Sequence, residues 1–369
     1  MYFIFFLFIC ITLSSVSSFD LYEVRKYNNE ENKKVYFQLP EGCVSDKEAE
    51  RWTGLLEESE LRCISKSNGT AKVLLIGNSF AYRTFPILHK IFDGRYAEFR
   101  LFTRSSRMFL NKDSQDGIEG GINYAEKAKE VIKHSKPDII FVIEKDMNSN
   151  QKKSLEGNNL QNDEVFTFTQ DRINFLSENA HTVVIDDQFY KPTESSEYKG
   201  VTEIIINRIN NGKKDLIDFQ DLKITRRDYH EEYKYNLIRF DALIGKNIVK
   251  NKVQEQLCEN DNCYFFNTEN LHAYYGDYAN HQTTEMIKKL EPGYKKIIEN
   301  FLKKWNEVLT STMTSTSTTS TSVSSAISTL SVPTTPTKLP KTTMPTTPAA
   351  AAATCGLVQL FLAICLTYS

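Results

Sequence analysis

Val73-Leu74-Leu75-Ile76-Gly77-Asn78-Ser79-Phe80-Ala81-Tyr82-Arg83 is the stretch that decides the fold. Four apolar residues in a row, closed at once by Gly-Asn-Ser, describe a strand buried on both faces that ends in a tight turn. Beyond the turn, Ile87, Leu88, Ile91 and Phe92 share one helical face and Gly94 offers a C-cap. A strand feeding a helix in this way exposes the Ser79 hydroxyl at the strand's carboxyl end. Backbone N–H groups at the same place are able to stabilise an oxyanion.

Working outward, residues 138–143, 182–185 and 263–266 are further continuous apolar runs beside 72–76. Residues 97–103 alternate, as an edge strand does. Helical spacing covers 124–134, which Pro137 stops, and then 201–209, 229–257 and 283–308, the last broken at Pro292-Gly293. Strands alternating with helices predict an α/β fold: a three-layer α/β/α sandwich around a mostly parallel five-stranded sheet of flavodoxin-like type.

Reactive groups in such sheets gather outside the carboxyl ends of the strands. Ser79, Asp146, Asn148, Asp186 and Asp187 all fall there, and a loop holding Asp277 and His281 follows the last run. A serine nucleophile needs a base within hydrogen-bond reach and a group orienting that base. Ser79, His281 and Asp277 fill those roles, with Asp186 or Asp187 as alternative orienters and His272 as a second base. The bland readings sit beside these. Asn78 closes the turn with its amide, Arg83 is a solvated helix residue, and His89, His134 and His181 are structural. Tyr274, Tyr275 and Tyr278 either line a sugar-binding face or simply pack.

The ends of the chain read differently. Residues 1–18 form a short apolar run closed by small residues, as in a secretory signal. Residues 310–348 are mostly Ser and Thr with interspersed Pro, a composition with nothing to bury; they read as an O-glycosylated, mucin-like stalk. Residues 349–369 are a hydrophobic tail, either a GPI attachment signal or a single membrane span. Residues 19–309 remain as one domain, placed at the cell surface or outside the cell. Of seven cysteines, Cys43, Cys63, Cys258 and Cys263 fall in this domain. An even number in an oxidising compartment implies disulfides, and the short separations favour Cys43–Cys63 and Cys258–Cys263. No histidine sits at ligand spacing beside them, so no metal site is expected, nor any cofactor. Asn68-Gly69-Thr70 is an N-glycosylation acceptor. With 45 basic against 47 acidic residues, there is no electrostatic footprint for nucleic acid.

Gly77-Asn78-Ser79-Phe80-Ala81 resembles the first block of SGNH (GDSL-type) hydrolases. The form is similar to that in the extracellular SGNH domains of nematode membrane O-acyltransferases, here free-standing. Tyr274-Tyr275-Gly276-Asp277-Tyr278-Ala279-Asn280-His281-Gln282-Thr283 resembles the closing block of those domains, and the likeness runs from about Cys43 to Leu302. It implies an SGNH sandwich with Ser79 as nucleophile and His281 as base. It also implies a surface-tethered esterase or O-acyltransferase acting on acyl esters of glycans or lipids. The alternative is an inactive SGNH domain serving as a binding module on its stalk. Two places depart from the family pattern. The acid is expected three residues before the histidine, where Tyr278 stands, so Asp277 is four before. The oxyanion blocks are indistinct, leaving the Ser79 N–H, Ser105 and Asn148 as candidate donors.

Overall fold

The computed structural model describes residues 19–34, 38–54, 60–111, 124–145, 152–187, 200–277 and 279–317. The expected signal (1–18), the tail (349–369), the stalk beyond 317, and Asp146, Asn148 and Tyr278 lie outside the described residues.

Seven strands make the main sheet: β1 (Val44–Ser45), β2 (Glu60–Lys66), β3 (Ala71–Gly77), β4 (Tyr96–Arg104), β5 (Ile139–Ile143), β6 (Thr182–Asp186) and β8 (Ile248–Asn251). Their order is β1-β2-β4-β3-β5-β6-β8. The run from β4 to β8 is parallel throughout, while β2 is antiparallel to both of its neighbours. β3 is central, with Gly77 level with Thr103 of β4 on one side and Ile143 of β5 on the other.

The α/β sandwich thus stands as expected, with corrections to the sheet. It has seven strands rather than five, and residues 96–104 are interior rather than an edge. Asn262–Tyr264 (β10) is not in the main sheet. It pairs with β7 (Lys223–Thr225) and β9 (Cys258–Glu259) in a small antiparallel sheet. The fifth parallel strand, Ile248–Asn251, lies inside the stretch read as one long helix, which divides into α7 (Arg226–Glu232), α8 (Lys234–Ala242), the strand and α9 (Val253–Gln256).

Alternation along the central strands feeds two separate cores. Val73, Leu75, Ile139 and Phe141 pack with α3 (Ser79–Phe92) and α10 (Thr284–Ser317). Leu74, Ile76, Ile140 and Val142 pack on the other face with α4 (Tyr124–Ser135) and α5 (Glu164–Asn179). Both faces are dry, which is why these strands read as unbroken apolar runs. α10 runs through Pro292 without a break. Leu290, Tyr294 and Ile298 are all buried on either side of the proline, and that packing outweighs one lost backbone hydrogen bond. The helix continues through Thr310 to Ser317, into the segment read as stalk.

Both short-range disulfides form: Cys43–Cys63 joins β1's approach to β2, and Cys258–Cys263 spans β9 and β10. No helix among the described residues is long and apolar enough to cross a membrane.

Candidate active site

Gly77 ends β3 with φ +142°, and a Cβ there would sit 1.9 Å from the Ile143 carbonyl oxygen. Only glycine lets β3 and β5 approach this closely at the turn. Tyr124 plugs the turn from below. Its hydroxyl accepts from the Gly77 N–H at 2.9 Å and lies 2.9–3.0 Å from the Gly77 and Phe102 carbonyls, which share its one proton as acceptors. Burial holds that phenol well above its ordinary pKa, so it stays a donor.

Asn78 is fully buried and caps α3: its Oδ1 accepts from the Phe80 N–H at 3.2 Å. The same side chain reaches across to the end of β5, donating from Nδ2 to the Lys145 carbonyl at 3.0 Å. Ser79 follows as the first residue of the helix, only 6% exposed. Its N–H belongs to the first turn, where donors have no intrahelical acceptor and the helix dipole favours negative charge.

The closing block folds back on itself. Tyr275 and Gln282 form a backbone bridge, the Gly276 N–H donates to the His281 carbonyl at 2.7 Å, and Asn280 takes φ +57° at the tip. This return absorbs the displaced acid. Asp277 Oδ1 accepts from the Ala279 N–H at 3.0 Å and both carboxylate oxygens face His281 Nδ1, at 2.9 and 2.8 Å. A carboxylate only accepts, so Nδ1 carries the proton and Nε2 is left to accept. Nε2 lies 2.8 Å from Ser79 Oγ. A hydroxyl, an imidazole and a carboxylate therefore stand in series across 202 residues of separation. The histidine and aspartate side chains are 13% and 15% exposed, so a substrate can reach them while most water is kept away.

Other sequence candidates are engaged elsewhere. Asp186 accepts from Asn251 and from the Tyr294 hydroxyl. Asp187 accepts from the Gln254 N–H, and burial pushes its carboxyl well above the usual range. His272 stacks on Tyr27 at 3.8 Å and faces Glu285 at 3.5 Å. Tyr274 and Tyr275 are core residues, so they line no sugar face. His89 bonds Ser65 and Tyr96 inside the fold, as a structural histidine should. Arg83 is half-buried rather than solvated. Ser105 sits in the turn after β4, two positions past the Thr103 that pairs with Gly77. Asn148 lies outside the described residues.

Two supports had no sequence signal beyond their position after β5. Glu144 accepts from the N–H groups of Phe109 and Leu110 at 2.7 and 2.9 Å, fixing the loop after β4. Lys145, 8% exposed, donates from Nζ to the Ala279 carbonyl at 2.9 Å and lies 5.6 Å from the Phe80 ring centre. It holds the histidine loop against the turn that carries Ser79. Among the described residues no group of His, Cys, Asp and Glu is placed to hold a metal ion.

The family model described as SGNH domain (fused to AT3 domains) matches residues 43–296. Among solved structures, the chain is similar to the lipopolysaccharide acetyltransferase periplasmic domain of Salmonella ser. Paratyphi A. The identity is 15% and the TM-score 0.40, over 80% of this chain and 98% of that one. No curated protein matches. The chain belongs to the SGNH family.

Proposed function

We propose that this SGNH-family chain is a serine esterase or O-acyltransferase working through Ser79, His281 and Asp277. It acts outside the cell on acyl esters of glycans or lipids. The observation that carries the reading is the 2.8 Å approach of His281 Nε2 to Ser79 Oγ, with Asp277 behind the ring. Ser79 Oγ attacks the acyl carbonyl while its proton passes to Nε2. Asp277 holds the ring in the tautomer that accepts this proton and stabilises the imidazolium that results. The oxyanion is met by the Ser79 N–H, with Ser105 and Asn148 as further donors. Collapse breaks the ester C–O bond, and the imidazolium returns its proton to the leaving alcohol. Water or an acceptor hydroxyl then repeats the sequence on the acyl-enzyme, giving hydrolysis or transfer.

Two disulfides fit an oxidising compartment, in keeping with an extracellular domain. Tethering through the C-terminal tail, by a GPI anchor or a span, belongs to the same proposal, as does a glycan on the exposed Asn68. A pure binding module needs no imidazole aligned between hydroxyl and carboxylate, so the geometry supports the enzyme over that alternative.

The test is labelling by a fluorophosphonate probe, which reacts only with an activated serine. Wild type should label, while Ser79→Ala and His281→Ala should not. A folded wild type that fails to label refutes the enzymatic reading in favour of the binding module.

A further inference from the structure

Asp277 and His281 ride near the tip of a hairpin whose arms meet at Tyr275 with Gln282 and at Gly276 with His281. Lower down, the Thr283 N–H donates to the Tyr274 carbonyl at 3.0 Å, and the Thr283 hydroxyl to the Ala273 carbonyl at 2.6 Å. Ala273 and Thr283 therefore mark its base, and Glu285 follows in the first turn of α10.

Consecutive residues of one helix, α1 (Leu21–Asn32), hold both legs of that base. Asn28 is fully buried. Its Oδ1 accepts from the Ala273 N–H at 3.0 Å, and its Nδ2 donates to the Leu271 carbonyl at 3.2 Å and the Val24 carbonyl at 2.9 Å. One amide thus uses an acceptor and both donors to join its own helix to the incoming leg. Leu271 has φ +58°, a conformation that leucine keeps only where its surroundings impose it. Tyr27 takes the outgoing leg: its hydroxyl accepts from the Glu285 N–H at 2.8 Å, and its ring stacks on His272 at 3.8 Å.

A further tie lies closer to the tip. Thr202 of α6 (Val201–Asn210) donates to the Gly276 carbonyl at 2.8 Å, and its hydroxyl lies 3.4 Å from Asn32 Oδ1 of α1. α1 precedes the stretch matched by the family model, which opens at residue 43. A hold on one leg would fix only where the hairpin stands. A hold on both fixes how its legs leave the base, and the carboxylate rides on one leg while the imidazole rides on the other.

We propose that Asn28, supported by Tyr27, is a positioning residue of the candidate active site. Through the hairpin base it sets Asp277 and His281 where they meet Ser79. Its effect on turnover rests on the esterase reading; its hold on the hairpin does not.

The full-length protein and its Asn28→Ala variant test this, well below the melting temperature of each. Hydrogen–deuterium exchange across residues 271–285 should quicken about tenfold or more in the variant. The rate of fluorophosphonate labelling, and kcat on p-nitrophenyl acetate, should fall on the order of 10–100-fold with KM little changed. Tyr27→Phe keeps the ring and loses the hydroxyl. It should show a smaller, several-fold fall, and it gives the same reading where Asn28→Ala fails to fold. Ile132→Val, in the core on the opposite face of the sheet, controls for lost stability alone. It should lower the melting temperature while hairpin exchange and labelling stay as in wild type. Wild-type exchange in both α1 variants, or an equal loss of labelling in Ile132→Val, overturns the proposal. A wild type that does not label removes the esterase reading, and exchange still decides the hold on the hairpin. Wild type that labels, with α1 variants unaltered in exchange and labelling, removes the positioning role and keeps the esterase.

Discussion

Asn78 and Lys145 hold each other by two hydrogen bonds across 67 residues of sequence. Asn78 Nδ2 donates to the Lys145 carbonyl at 3.0 Å, and the Lys145 N–H donates back to Asn78 Oδ1 at 3.4 Å. Because Lys145 Nζ also holds the Ala279 carbonyl, one asparagine and one lysine join the Ser79 turn, the end of β5 and the histidine loop. The alignment of Ser79 with His281 is thus a property of three segments locked together.

Asn78→Ala should cost about 1–3 kcal/mol of stability, since it loses a cap and leaves buried backbone groups at the end of β5 unpaired. Asn78→Ser restores an oxygen for the Phe80 N–H, but its shorter side chain does not replace the Nδ2 that reaches the Lys145 carbonyl. It should recover part of the stability and little of the lost kcat. Urea denaturation beside ester turnover reads the two separately, and full recovery of kcat by serine would contradict the linking role.

Asp277→Asn keeps an acceptor for the Ala279 N–H, so the loop should stay folded with an unchanged melting temperature. The amide presents a donor or a neutral oxygen to His281 Nδ1 and no longer enforces the productive tautomer. A fall in kcat on the order of 10³–10⁴ is expected, with little change in KM. A loss under tenfold would assign the orienting role to another acid.

Gly77→Ala should be among the most damaging single-methyl changes in the chain, above about 2 kcal/mol, because the new Cβ meets the Ile143 carbonyl at 1.9 Å and φ is +142°. Gly276→Ala is the comparison. Its Cβ finds nothing nearer than 3.5 Å, and the cost should stay within about 1 kcal/mol. Equal costs would show that the backbone shifts to relieve the clash.

The Glu285 carboxyl is lowered from 4.5 to about 2, first by its hydrogen bond with His272 and then by Asn267 and Asn270. A depressed folded-state pKa stabilises the protein fully above the unfolded value. That contribution should fade as pH falls from about 4.5 towards 2. Glu285→Gln should flatten this acid limb in a melting-temperature series while leaving the profile above pH ~6 parallel to wild type. An unchanged acid limb would mean that other carboxylates govern it.

The strand-turn-helix was legible, and so was the hydroxyl–imidazole–carboxylate series of Ser79, His281 and Asp277 that we propose as a triad, because each rests on local pattern. The apolar run before Gly77 announces a buried strand, and the Asp277–His281 spacing survives as a tight return. What misled was buried charge. Arg100 is only 3% exposed, held by Asp46 and Glu98, and it makes the interior strand β4 read as an alternating edge. Glu60, Arg62 and Lys127 form a buried cluster that hid β2 altogether. β8 is four residues between helices, three half-buried and Asn251 buried, too short to interrupt a helical period. The run at Cys263 showed burial correctly, but a continuous apolar stretch does not say which sheet it joins. Lys145 and Glu144 act through contacts distant in sequence, which no local pattern records.

The disulfide at Cys43 fastens a two-residue strand along the outer side of β2. The opposite margin, Ile248–Asn251, is four residues long and carries Lys250. Long, flat margins invite a second chain to add itself as a further strand, whereas short or lysine-bearing ones give little purchase. Crowded copies of this protein accordingly meet blunt rims, and resistance to edge-to-edge aggregation comes from the same crosslink that secures the first strand.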